Sequence, residues 1–162
     1  MKTLLLLRHA KSSWDNEGLT DHNRPLNDRG RRDAPRMGKL IRHEELIPDL
    51  IISSSAKRAA TTAELVALEL PLVSEIQYTQ KLYLAEPGAY ITIARQLSDD
   101  VETLMMVGHN PGIQELVEWL TGQDEQMSTA ALACVRAPID KWSKLAGGKR
   151  YELAGIWRPK EL

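Results

Sequence analysis

Three short stretches of this chain end in residues that could act together on phosphate. Arg8 and His9 follow directly on the apolar run Leu4-Leu5-Leu6-Leu7. Arg58 comes just after the serine run Ser53 to Ser55, and His109 follows Gly108 behind the run Thr103 to Val107. A guanidinium offers phosphate oxygens a planar fork of donors. An imidazole can be nucleophile or base near neutral pH. Two of each at one place imply phosphoryl transfer, which depends mainly on positioning and on neutralising oxygen charge. Each residue alone has a plainer reading. Arg8 and His9 would mark a strand running out into solvent, and either histidine would cap or pack. Only arrival at a common place favours the chemical reading.

The elements that must deliver them are legible. Residues 2–9 form a short strand, apolar on both faces. Leu50 to Ser55 and Thr103 to Val107 are two more such strands. Each runs into a helix, with Ser55 the expected N-cap of one and Asn110, before Pro111, that of the other. Ala59, Ala63, Val66, Ala67 and Leu70 give the first helix its buried stripe, and Pro71 ends it; Ile113, Leu116, Val117 and Leu120 give the second its stripe. If the three strands are parallel neighbours, their carboxyl ends share one sheet edge, where α/β proteins bind ligands.

The remaining elements complete an alternating pattern. A helix capped at Asn27 or Asp28 carries Ala34, Met37, Leu40 and Ile41, with Pro35 expected to kink it or restart it at Asp33. Another begins at Pro87 behind Glu86, with Tyr90, Ile91, Ala94 and Leu97 as its stripe. Leu72 to Tyr78 suggests a minor strand. Ala131 to Val135 and Tyr151 to Trp157 are late strands, joined through a Gly147-Gly148-Lys149 turn. The expected fold is a three-layer α/β sandwich, with a mostly parallel central sheet flanked by helices and residues 1–162 as one domain.

Composition narrows the function. The chain has 162 residues, 43% of them hydrophobic, with a net charge of −1 and no Phe. Neither a global basic field nor an aromatic platform favours nucleic acid. No stretch approaches the ~20 apolar residues of a membrane helix, and the apolar run ended by Arg8 is too short for a signal peptide. Cys134 is the sole cysteine, expected in the core, which fits a cytoplasmic protein without disulfides. Arg24, Arg29, Arg31, Arg32, Arg36, Lys39 and Arg42 face only Asp28 and Asp33 within their span. A solvated helix face is the plainer reading of that charge, and a docking surface for an acidic partner is the functional one.

The same residues carry a family resemblance. Arg8-His9-Ala10, the segment Ser53 to Ala63 containing Arg58, and Gly108-His109 resemble the histidine phosphatase (phosphoglycerate mutase-like) superfamily. Asp21 to Leu26, Gly30, Thr129 to Leu132 and Pro159-Lys160 are similar to its SixA-type phosphohistidine phosphatase group. The resemblance covers nearly the whole chain. It implies that His9 attacks phosphorus and becomes a phosphohistidine, which water hydrolyses. Arg8, Arg58 and His109 would hold the phosphoryl group, with no metal or organic cofactor.

The general acid is less defined. Asp15 and Glu86 are candidates, although Asp15 reads equally as a loop salt-bridge residue and Glu86 as a helix-start residue. Ala10 and Ser55 stand where the superfamily commonly has Gly and Pro. In the long polar loop at 10–27, Ser12 and Arg24 are candidate substrate-binding residues. A phosphohistidine substrate depends less on a strong acid than an alkyl ester does, because imidazole takes up its proton near neutral pH. The expected partner is thus a phosphorylated protein, with a small phosphate monoester as the alternative and a monomer as the assembly. Two further readings were a metal phosphoesterase built on His9, Asp15, Asp21, His22 and His109, and a non-catalytic phosphate-binding module.

Overall fold

The leucine run at the N-terminus becomes β1 (Lys2–Arg8), the strand about which the others are arranged. It pairs on one side with β4 (Thr103–Gly108), in parallel, from Thr3 opposite Thr103 to Arg8 opposite Gly108. The computed structural model describes residues 1–71 and 75–162. The six strands follow the order β3-β2-β4-β1-β5-β6, with β2 at Leu50–Ser54, β3 at Ile76–Thr79, β5 at Leu132–Ala137 and β6 at Glu152–Trp157. Pairings among β1 to β4 are parallel, and β5 and β6 add an antiparallel edge. The mostly parallel sheet read from the sequence is therefore present.

Alternation along β1 sends side chains to both faces of the sheet. Leu4 and Leu6 join Leu104 and Met106 in one core, against Tyr90, Ile91, Ile113, Leu116 and Leu120. Those residues belong to α3 (Pro87–Ala94) and α4 (Gly112–Thr121). Leu5 and Leu7 join Met105 and Val107 in the other core, against Ala34, Met37, Ile41, Ala59, Ala63 and Val66. These come from α1 (Asp28–His43) and α2 (Lys57–Ala67). All four leucines are buried, each burial favouring folding by roughly 1.5–3 kcal/mol. The result is the expected three-layer α/β/α sandwich. Cys134 is buried in the second core.

Four local expectations need correction. Helix α1 runs unbroken through Pro35, with Asn27 accepting from Gly30 N at 2.9 Å as its cap. A proline removes one ladder bond, and the buried stripe of Ala34, Met37 and Ile41 carries the helix across that loss. Ser55 is not the cap of α2. Ala56 occupies that position, while the Ser55 hydroxyl meets His22 Nε2 at 2.9 Å. Asn110 is not the cap of α4 either. Its amide donates to Met127 O at 2.8 Å, the Asn110–Pro111 peptide is cis, and the helix begins at Gly112. Helix α2 ends at Ala67, before Pro71. The minor strand starts at Ile76; Leu72, Val73 and Ser74 lie outside the described residues.

Strands β5 and β6 are antiparallel neighbours, but residues 138–151 join them with a short 3-10 turn at Trp142–Lys144. The glycine turn is only its last part. Gly148, at φ +105°, and Lys149 both donate their backbone N–H to Trp119 O.

Candidate active site

Parallel pairing in the order β2-β4-β1 brings the three chemistry-bearing strand ends together. A cleft of about 280 Å³ opens there, lined by Arg8, His9, Lys11, Ser12, Trp14, Arg24, Arg58, Leu84, His109, Asn110 and Thr129. Six of the sequence-derived candidates therefore share it: Arg8, His9, Arg58, His109, Arg24 and Ser12. The other two do not line it. Asp15 is exposed in the loop, where its backbone N–H donates to Ser13 Oγ. Glu86 is exposed at the N-cap position of α3, the helix-start place read from the sequence, although its side chain makes no capping bond.

His9 is held from every side by the backbone. Its N–H donates to Gly108 O and its carbonyl accepts from Ala130 N, both at 3.0 Å. Its ring nitrogen Nδ1 lies 2.7 Å from Ala10 O. A carbonyl only accepts, so Nδ1 carries the hydrogen and a neutral ring keeps a free lone pair on Nε2. Burial pushes the His9 pKa down to about 3, and repulsion from His109 and Arg58 adds to it. The ring is therefore neutral at pH 7, with Nε2 available as a nucleophile.

His109 stands beside it, with ring centroids 5.1 Å apart. Its Nε2 meets Ser54 Oγ at 2.8 Å, and Ser54 Oγ already accepts from Ala56 N. In the tautomer in which the serine donates to Nε2, the ring hydrogen sits on Nδ1. That Nδ1 is buried without a protein partner. Burial, then Arg58, lowers its pKa to about 4. The ring is therefore neutral at pH 7, and His109 lines the cleft.

Arg8 repeats the pattern. Its Nη1 donates to Met127 O at 3.1 Å, while Nε is buried with no partner. Buried donors are nearly always satisfied. Arg8 Nε and His109 Nδ1 both lack a protein partner, and both belong to residues that line this one cleft. Glycines keep the walls close. A Cβ on Gly108 would strike Tyr90, and one on Gly30 would strike the Lys11 backbone.

Arg58 is aimed by Asp21, a carboxylate to which the sequence reading gave a chemical role only in the metal alternative. Asp21 accepts from Arg58 Nη2 and Arg24 Nη1, each at 3.0 Å, and from the Tyr83 hydroxyl. Arg58 Nη1 also donates to Asp21 O at 2.7 Å. The Tyr83 bond, with Arg24 and Arg58, holds the Asp21 carboxyl well below the usual carboxylate range. It stays ionised and donates no proton. Arg24 completes the array, donating to Ser12 Oγ at 2.6 Å and Ser13 O at 3.1 Å, and stacking on Trp14 at 3.2 Å. Sequence reasoning placed Ser54 in the serine run without giving it a role, and missed Tyr83 altogether. The one available signal was the charge pair Asp21 and Arg24 at helical spacing. Tyr83 comes from a remote segment and leaves no local pattern, and Ser54 reaches His109 across 55 positions. No group of three or more His, Cys, Asp or Glu side chains suited to a metal occurs among the described residues.

A cationic cleft with a free imidazole nitrogen at the carboxyl edge of an α/β sheet defines a site for phosphoryl chemistry. The chain belongs to the histidine phosphatase superfamily (branch 1), which it matches over residues 4–87. An uncharacterized chloroplastic protein of Arabidopsis thaliana is 30% identical to it, over 98% of this chain and 78% of that protein. An uncharacterized Mycobacterium tuberculosis protein is 37% identical over 82% and 71% of the two chains. Among solved structures, a candidate phosphohistidine phosphatase SixA from Agrobacterium tumefaciens superposes with a TM-score of 0.84 at 27% identity, covering 98% of both chains. The fold and the family agree with the resemblance carried by the sequence motifs, and the family supports phosphatase activity.

Proposed function

We propose that the protein is a phosphatase that passes the phosphoryl group through His9, and that its substrate is phosphohistidine on a protein. The observation that carries this reading is the free Nε2 of His9 in the same cleft as Arg8 and His109, whose Nε and Nδ1 lack a protein partner. In the first step Nε2 bonds to phosphorus as the bond from phosphorus to the substrate nitrogen breaks. The departing imidazole leaves neutral, its other nitrogen having taken a proton near neutral pH. In the second step water attacks the phosphorus on His9, releasing phosphate and restoring Nε2. Arg8, Arg58 and His109 stabilise the oxygens in both steps.

The acid inventory supports a phosphoramidate substrate over an alkyl ester. No carboxylate lines the cleft among the described residues. Asp21 is ionised and taken by three donors, and Asp15 and Glu86 face solvent. An alkoxide leaving group needs an acid at hand, and an imidazole does not. The likeness to a candidate phosphohistidine phosphatase points the same way.

Rapid mixing with a ³²P-phosphohistidine protein, quenched in alkaline detergent because the N–P bond is labile to acid, should trap label on the wild-type enzyme. His9→Ala should trap none; label persisting there would remove His9 from the nucleophile role. Faster turnover of a panel of sugar phosphates than of the phosphohistidine protein would shift the substrate to small monoesters.

A further inference from the structure

A second cleft of about 280 Å³ adjoins the first, between α1 and the C-terminal turn at Pro159–Glu161. Its walls include Arg29, Arg32 and Arg36 from α1, Lys160 from the turn, and Ser128 and Thr129. Thr129 lines both clefts, and Arg29 donates to its hydroxyl at 3.3 Å. Whatever occupies one cleft therefore lies next to whatever occupies the other.

The second cleft carries uncompensated positive charge. Its one carboxylate, Asp33, is buried and lies 3.1 Å from Arg36, 3.7 Å from Arg32 and 3.8 Å from Arg29. One carboxylate balances one cation, and four cations face it. The Arg32 and Arg29 side chains remain 67% and 46% exposed, so their forks are open to a ligand. A separate observation points to a ligand. Among the described residues, four buried side-chain polar atoms lack a hydrogen-bond partner. Arg8 Nε, His109 Nδ1 and Asn110 Oδ1 belong to residues of the first cleft, and Ser128 Oγ belongs to the second. Such atoms are rare in folded proteins, and all four belong to residues that line these two adjoining clefts.

We infer that the second cleft docks an Asp or Glu side chain of the phosphorylated protein, close to the phosphohistidine that enters the first. The inference rests on the protein-phosphohistidine reading. A carboxylate suits the cleft because guanidinium forks bind it with two parallel bonds and the Arg29 and Arg32 forks are exposed there. The shared Thr129 wall favours an occupant on the same macromolecule as the phosphoryl group. The basic face of α1 is thus a substrate-docking face at Arg29, Arg32 and Arg36, and not merely a solvated one.

The test uses two fluorescent peptides around one histidine, with either Glu or Gln at the flanking positions. In anisotropy titrations of the unphosphorylated forms, the wild-type protein should prefer the Glu peptide. Arg32→Gln/Lys160→Gln, two exposed positions that leave the fold intact, should weaken that binding about fivefold to tenfold. Gln-peptide binding should not change. With the phosphorylated peptides, the double variant should lose the kcat/KM preference for Glu and keep the wild-type rate on phosphoramidate. Equal binding of both peptides by the wild type, or an equal loss on both in the variant, would overturn the docking site. Selective Glu-peptide binding without hydrolysis of its phosphorylated form would instead overturn the phosphohistidine reading and leave acidic docking supported.

Discussion

His9, His109 and Arg58 are each oriented by a few named hydrogen bonds. The Ala10 carbonyl decides which nitrogen of His9 is free, and the Ser54 hydroxyl holds the His109 ring by Nε2. Asp21 decides where Arg58 points. Substituting Asp21→Asn keeps its size and removes the charge that Arg24, Arg58 and Tyr83 share. A charge-assisted bond of this kind is worth about 1.5 kcal/mol, so kcat/KM should fall roughly tenfold. If Asp21 acts by positioning Arg58, the same substitution should cost little more in an Arg58→Ala background. Full additivity in that double-mutant cycle would break the link. The arginines and histidines themselves were readable from their types and spacing. Asp21 was visible as a loop acid, but its partner Arg58 lies 37 positions away and its partner Tyr83 lies 62 away. No local pattern announces pairs that distant.

At the scale of the elements, the site depends on how strand ends are tied to helices. The Thr62 hydroxyl, one turn into α2, accepts from Ala10 N at 3.0 Å and donates to Arg58 O at 2.7 Å. It joins the exit of β1 to the helix that carries Arg58. Thr62→Val keeps the shape and leaves the buried Ala10 N–H without a partner, at a cost of about 1–3 kcal/mol. Urea denaturation should show a lower midpoint at an unchanged slope; an unchanged midpoint would mean that the bond contributes nothing. Existence and type of the main elements were legible because apolar periodicity is a local property of the chain. Cap identities were not. Ser55 was drawn off by His22 and Asn110 by Met127, and in both cases a tertiary partner outcompeted the local helix end. The unbroken run of α1 through Pro35 has the same origin, since packing against the sheet outweighs one missing bond.

For the whole molecule, a site made of buried neutral imidazoles sets the response to acid. In the unfolded chain both histidines titrate near 6.5. In the folded chain burial holds His109 neutral down to about 4 and His9 down to about 3. Between those limits the unfolded state binds more protons, so stability is complete above pH 6.5 and is lost as pH falls towards 3. The depressed Asp21 carboxyl acts in the same direction at still lower pH. Thermal unfolding should therefore show a Tm that drops between pH 7 and pH 4.5, and a His9→Gln/His109→Gln variant should show a shallower drop. A slope equal to that of the wild type would rule out these histidines as its source. The sequence alone led to the α/β layering and to Arg8, His9, Arg58 and His109 as candidates meeting at one sheet edge, because apolar runs bounded by charge are read locally. Only the tertiary structure decided that β4 lies between β1 and β2, which ring nitrogens are free, and that Asp21, Ser54 and Tyr83 orient the array. Those outcomes follow from which distant groups compete successfully for each donor, and that competition exists only once the sheet has brought them together.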